Sequence, residues 1–195
     1  MTEGAKGHSL PPRGDGTGPD HRLTSCLHQV AEGHAAAGHR FTYAIGRLTL
    51  WSPDAARVDG NGAETLATGN FRALAIANPA LAPYGAAAQQ TLRALGLLDE
   101  LQQRIVMGQN IGQAHSMIAT GNAELGLVAL SYVLSPRNRA SGSRWDVPIE
   151  LYEPIRQDAL LLARATDNRA ARDFLDFLKS EEARLIIKQY GYAIE

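Results

Sequence analysis

From residue 41 onward the chain is a series of short apolar blocks separated by polar, glycine- or proline-containing breaks. The block 43–51 (YAIGRLTLW) is rich in strand-forming residues and stops at Ser52-Pro53, so it predicts a strand. Residues 58–70 read as a loop with one helical turn near 64–67, and 71–77 (FRALAIA) predicts a short buried strand ending at Asn78-Pro79. The spacing of Ala88, Leu92 and Leu95 predicts a helix over 85–98. A brief strand follows at 105–107, then a helix over 111–120 stopped by Gly121-Asn122, then a strand over 125–130. The run 158–164 (DALLLAR) has the texture of a strand covered on both faces. Ala171, Phe174, Leu175 and Leu178 sit at helical spacing. Ser180 can cap a last helix with Glu181 and Glu182 in its first turn and Leu185, Ile186 and Tyr190 on its buried side. Strands alternating with helices predict an α/β fold with a mostly parallel sheet.

Residues 1–40 lack this texture. They hold five of the six histidines and three of the nine prolines and keep no period of 2 or 3.6. The stretch 11–19 (PPRGDGTGP) reads as coil, and no apolar signal-peptide core stands at the start. With 195 residues the chain is long enough for one large domain or two small ones. Nineteen basic against twenty acidic side chains leave a net charge of -1, which argues against a nucleic-acid partner held by phosphate contacts. One cysteine, Cys26, excludes a disulfide framework, and its segment gives a nucleophile no fixed setting. His21, His28, His34 and His39 do not fall at helical ligand spacing, so a metal site is not expected. Asp158 beside Arg156 reads as a structural ion pair, and Trp51 and Trp145 as core or rim residues. No Walker loop, G-x-G-x-x-G, H-E-x-x-H or G-x-S-x-G occurs, and no enzyme is expected.

Candidate chemistry gathers at two helix starts. One is 81–85 (LAPYG), with Tyr84 and Gly85 at the opening of a helix that follows a strand. The other is 108–112 (GQNIG), where Asn110 is a natural N-cap and Ile111 the first helical residue. The first N–H groups of a helix have no internal partner and carry the positive end of its dipole, so two such ends facing one cleft can hold an anion without lysine or arginine. Most helix starts in α/β domains, however, meet only water.

The segments 43–53 (YAIGRLTLWSP), 75–88 (AIANPALAPYGAAA), 109–114 (QNIGQA), 119–130 (ATGNAELGLVAL), 154–162 (PIRQDALLL) and 170–192 resemble, in order, the periplasmic molybdate-binding proteins of bacterial ABC importers. The resemblance runs from about residue 30 to the C-terminus. It implies a bilobed periplasmic-binding-protein type II fold whose cleft binds molybdate or tungstate and delivers it to a membrane permease. It further implies that the backbone N–H groups of Tyr84 and Ile111, flanked by Gly85 and Asn110, are donors to the oxyanion. No cofactor, a monomeric state and a periplasmic location are also implied. Some members place a tyrosine hydroxyl after the LGLV-type strand, where this sequence has Ala129; the Tyr84 side chain is open between a ligand role and packing on the cleft rim.

Residues 1–28 look unrelated to the family. The serine-rich turns of the family's first lobe have no counterpart here, which implies an incomplete first lobe and a start altered by a frame or start-site error. The expected organisation is an irregular segment over 1–40, a hinge strand and second lobe over 41–155, and a return strand with C-terminal helices belonging to lobe one over 156–195. Phe174, Leu175, Leu178, Leu185 and Ile186 are then expected to lose part of their cover. Two alternatives stand beside the receptor: a fragment that no longer binds, and an effector domain of a bilobed transcription regulator of the LysR type, for which 1–40 supplies no helix-turn-helix.

Overall fold

The computed structural model describes residues 33–36, 38, 40–58, 60–136 and 142–195. It contains two sheets. Strand β1 (Phe41–Gly46) pairs antiparallel with β7 (Ile155–Ala159) in a two-stranded ribbon. The other strands form a five-stranded sheet in the order β4 (Ile105–Gly108), β3 (Leu74–Ala77), β5 (Leu125–Ala129), β2 (Leu48–Ser52), β6 (Ser143–Asp146). Its β4, β3 and β5 run parallel, as the alternating pattern predicts, whereas β2 is antiparallel to both β5 and β6.

The block 43–51, read above as one strand, is two. It breaks at Arg47, whose carbonyl accepts from the Leu130 N–H at 2.9 Å, while the Leu48 N–H donates to the Tyr152 hydroxyl at 3.1 Å. Those cross-chain bonds satisfy the backbone where it leaves the ribbon and enters the sheet. The expected single turn near 64–67 is a full helix, α1 (Gly62–Thr68), because Asn61 caps it through the Glu64 N–H and Gly69 closes it in the left-handed region at φ 59°.

Helices α2 (Pro83–Ala94), α3 (Leu98–Leu101), α4 (Ile111–Ala119) and α5 (Leu130–Val133) complete the sheet unit. Strand alternation sorts its side chains into two cores. Leu48, Leu50, Leu74, Ile76, Leu125 and Leu127 face one side, under Leu66 of α1 and Ala88 and Leu92 of α2. Trp51, Ala75 and Val128 face the other, under Ile118 of α4 and Val133 of α5. At about 25 cal/mol per Å2 of apolar surface, such doubly covered strands carry the largest share of the favourable burial energy.

The C-terminal part differs. The run 158–164 is not a strand covered on both faces: β7 ends at Ala159, Leu161 is buried, and Leu160 and Leu162 are half-buried. Only β1 lies beside β7 in its sheet, so β7 is one half of a two-stranded ribbon and not a central strand. Helix α6 (Arg169–Lys179) is capped by Asn168, and α7 (Glu181–Gln189) by Ser180 through the Ala183 N–H, as the sequence predicts. Their apolar stripe is another matter. Leu185, Ile186 and Tyr190 are not buried but 52%, 44% and 37% exposed, and Phe174 is 59% exposed. Of the two helices, only Leu175 and Ala183 are buried. After α7 the chain returns to the ribbon, where Ala193 exchanges backbone bonds of 2.7 and 2.9 Å with Ile45.

Candidate functional site

Adjacent parallel strands bring the two predicted helix starts together: Ala77 at the end of β3 is in register with Gly108 at the end of β4. The Asn78 N–H donates to the Gly108 carbonyl at 2.7 Å and locks the two strand ends. Beyond it, Asn78 folds the turn. Its side-chain oxygen accepts from the Ala80 N–H at 3.0 Å, and its carbonyl accepts from the N–H groups of Leu81 and Ala82. Helix α2 then opens at Pro83, which has no N–H to offer. The Gly85 and Ala86 N–H groups both donate to the Ala82 carbonyl, at 2.9 and 3.1 Å. Among the described residues this leaves the Tyr84 N–H as the first-turn donor of α2 without a protein acceptor.

Helix α4 is built similarly. The Asn110 side chain accepts from the Gln113 N–H at 2.9 Å, and the Gln113 side-chain oxygen accepts from the Gln109 N–H at 2.7 Å, a reciprocal cap. The Ala114 N–H donates to the Asn110 carbonyl at 3.1 Å. Ile111 and Gly112 are left with N–H groups that have no protein acceptor among the described residues. Gly112 was not singled out from sequence as a donor; its place as second residue after the Asn110 cap is the signal that identifies it.

Glycine makes this geometry possible at two positions. A Cβ on Gly85 would overlap the Ala77 carbonyl oxygen and lie 2.7 Å from the Asn78 carbonyl carbon, so only glycine lets α2 start directly against β3. A Cβ on Gly108 would lie 2.6 Å from the Ala114 nitrogen, which fixes α4 equally closely against β4. Asn110 therefore acts through the cap and Gly85 through close packing, whereas Tyr84 and Ile111 supply the open donors.

The electrostatics of the site rest on backbone. Neither helix has an acidic residue in its first turn, and the one ionisable side chain of α4 is His115. His115 is buried, stacks on Trp51 with ring centroids 5.0 Å apart, and its pKa is lowered by burial from an ordinary 6.5. A neutral His115 adds no charge, so the start of α4 presents only the positive end of its dipole and its open N–H groups. Trp51 is thus a core residue, as expected. Trp145 is half-buried over α1, where a Cβ on Gly62 would overlap its ring. The Tyr84 side chain is buried and packs on the core. Its hydroxyl lies over Gly46 of β1, and its pKa is pushed up by burial and then by the neighbouring Tyr192.

Other candidates fall elsewhere. Asp158 is paired not with Arg156 but with Arg40, at 2.6 and 2.9 Å, and with the Thr42 hydroxyl at 2.7 Å; Arg156 pairs with Glu195. Cys26 and His21, His28 and His39 lie outside the described residues. Among the described residues no group of three metal-ligating side chains occurs, and no helix is long and apolar enough to cross a membrane. A groove of about 350 Å3 lined by Asp54, Arg57, Glu64, Thr65 and Asn70 is remote in sequence from both helix starts.

The chain is 51% identical over 164 residues to the molybdate-binding protein ModA of Azotobacter vinelandii, covering 84% of this chain and 65% of that protein. It is 49% identical over 166 residues to the molybdate-binding protein ModA of Rhodobacter capsulatus, with 85% and 64% covered. The chain thus spans about two thirds, and slightly less, of the length of these relatives. The solved periplasmic molybdate-binding protein of Azotobacter vinelandii superposes with a TM-score of 0.79 at 43% identity, over 88% of this chain and 75% of that one. Its α/β fold is therefore shared, and the family of bacterial extracellular solute-binding proteins matches residues 26–193. On that match, the chain belongs to the bacterial extracellular solute-binding proteins.

Proposed function

We propose that this protein binds molybdate, a tetrahedral oxyanion, at the paired starts of α2 and α4, and hands it to the permease of an ABC importer. The observation that carries this reading is the set of open N–H groups on Tyr84, Ile111 and Gly112 beside one another's strand ends, in a chain half identical to molybdate-binding relatives. Backbone N–H groups only donate, so they suit a fully deprotonated dianion. A protonated phosphate oxygen would turn its own hydrogen toward a donor. Tungstate has the same charge and shape and fits the same donors.

Residues 41–155 then form the cleft-bearing lobe, and 156–195 the return strand and helices that belong to a first lobe. The protein acts as a monomer in the periplasm, as a binding protein without an enzymatic step. A second reading, a fold that does not hold the anion, is favoured by one observation: about a third of the relatives' own length lies outside the match, with whatever donors it carries.

A thermal melt with molybdate, sulfate and phosphate separates the two. Molybdate at about 100 times its dissociation constant adds about 2.7 kcal/mol, a rise of about 5–10 °C for a chain of this size. A rise with molybdate and little with sulfate or phosphate supports the receptor. A cooperative melt that molybdate does not move supports the second reading.

A further inference from the structure

Gly46 is the last residue of β1, one position before the chain crosses at Arg47 from ribbon to sheet. Its backbone is outside the left-handed region, so conformation does not demand glycine there. Space does. A Cβ on Gly46 would overlap the Tyr84 hydroxyl, lie 2.8 Å from Tyr84 Cζ and 3.3 Å from Ile155 Cβ. Tyr84 is the residue whose N–H faces the proposed anion, and its hydroxyl end lies against Gly46 in the ribbon.

Neither side of this contact can yield easily. Strand β1 is held at Ile45 by two bonds to Ala193, and on its other edge Gly46 pairs with Ile155 of β7. On the helix side, Gly85 is packed against the Ala77 carbonyl and Pro83 fixes the entry of α2. The Tyr84 ring is also enclosed in the core with Ala87, Ala88 and Ile155. A close-packed interior passes such a displacement to the nearest groups that can move. Here the Tyr84 ring takes the displacement first, and through its Cα it turns the Tyr84 peptide that carries the N–H.

We infer that Gly46 is a positioning residue for anion binding: by leaving room for the Tyr84 ring it aims the Tyr84 N–H, and so links the ribbon to the start of α2. This rests on the site proposed above. No contact between Gly46 and the anion is involved.

The test is titration calorimetry with sodium molybdate on the full chain, its Gly46→Ala variant, the Gly46→Ala/Tyr84→Leu double variant and Leu66→Ala. Leu66 is fully buried in α1 and serves as a stability control. Gly46→Ala is expected to weaken binding by about tenfold or more, in line with typical overpacking costs. The double variant, whose leucine stops short of the Cζ position, is expected to return to within about threefold of wild type. Leu66→Ala is expected to lower Tm at least as much as Gly46→Ala while holding affinity within about twofold. If wild type binds and Gly46→Ala binds equally well, or the double variant is no tighter than the single, the positioning role is overturned and the site survives. If wild type gives no molybdate heat, the site itself fails and the role with it.

Discussion

The five-stranded sheet and the ribbon with its two C-terminal helices obey the same local rules and end in different states. Both have well-capped helices and regular strand pairing. In the sheet, Leu48, Leu50, Leu74, Leu125 and Leu127 have no exposed surface at all. On the helices that follow the ribbon, Phe174, Phe177, Leu185 and Ile186 are 41–59% exposed. An amphipathic stripe decides that a helix forms and which way it faces, but burial needs a second surface to face. The sheet has a layer on each side. The stripe on α6 and α7 has none among the described residues.

Core truncation widens this contrast most. Leu125→Ala should cost about 2–5 kcal/mol, because a doubly covered strand cannot collapse into the cavity. Phe174→Ala should fall within about 0.5 kcal/mol. Urea unfolding midpoints measure both, and similar losses at the two sites would show that the helices are buried after all.

The ribbon has one strong polar anchor, and removing it ranks next. Asp158 is pulled up by burial, but the bonds from Thr42 and Arg40 outweigh this and hold its pKa below the ordinary 3.8. A depressed carboxyl stabilises the fold above its unfolded value, and the contribution is lost as pH falls through the folded one. Asp158→Asn should therefore cost about 1–3 kcal/mol at neutral pH, a cost that shrinks as pH falls below the ordinary 3.8 and through the folded value. Stability measured from pH 3 to 7 in both proteins checks the sign.

A smaller effect belongs to the α4 start. Asn110→Ala removes the acceptor for the Gln113 N–H and should cost about 1 kcal/mol in stability. It should also weaken molybdate binding, since a frayed first turn no longer aims Ile111 and Gly112; calorimetry reads this directly.

The smallest concerns His115. Its folded pKa lies below 6.5, so the neutral form is the one the fold favours. The sheet should lose a little stability as pH drops below about 6.5 and level off under the folded value. His115→Phe should flatten that slope in thermal melts between pH 5 and 7.5.

What could be read from the sequence follows the same division. The α/β alternation, the Asn110 and Ser180 caps and the Gly121 stop were legible because each depends on neighbours within four residues. The break of 43–51 at Arg47 was not, since it is set by Leu130 and by Tyr152, more than eighty residues away. Asp158 likewise was matched to the nearby Arg156, whereas its partner is Arg40, the residue just before β1. The helix starts at 81–85 and 108–112 were legible from the residues, whereas Tyr84 and Ile111 as anion donors came from the family resemblance. That the Tyr84 ring faces Gly46 was not, because the strand pairing that brings β1 there leaves no periodic mark. The DALLLAR run misled for a related reason: apolarity records how a segment can be buried, not how many layers reach it.

The central claim, that backbone N–H groups at two helix starts hold the anion, is tested most directly by amide NMR of labelled protein titrated with molybdate. The account predicts that the Tyr84, Ile111 and Gly112 amide protons move downfield together, with a single saturation curve, as they gain a charged acceptor. If molybdate binds while those three amides stay in place, or the changes centre on the groove around Arg57, the helix-start site is wrong.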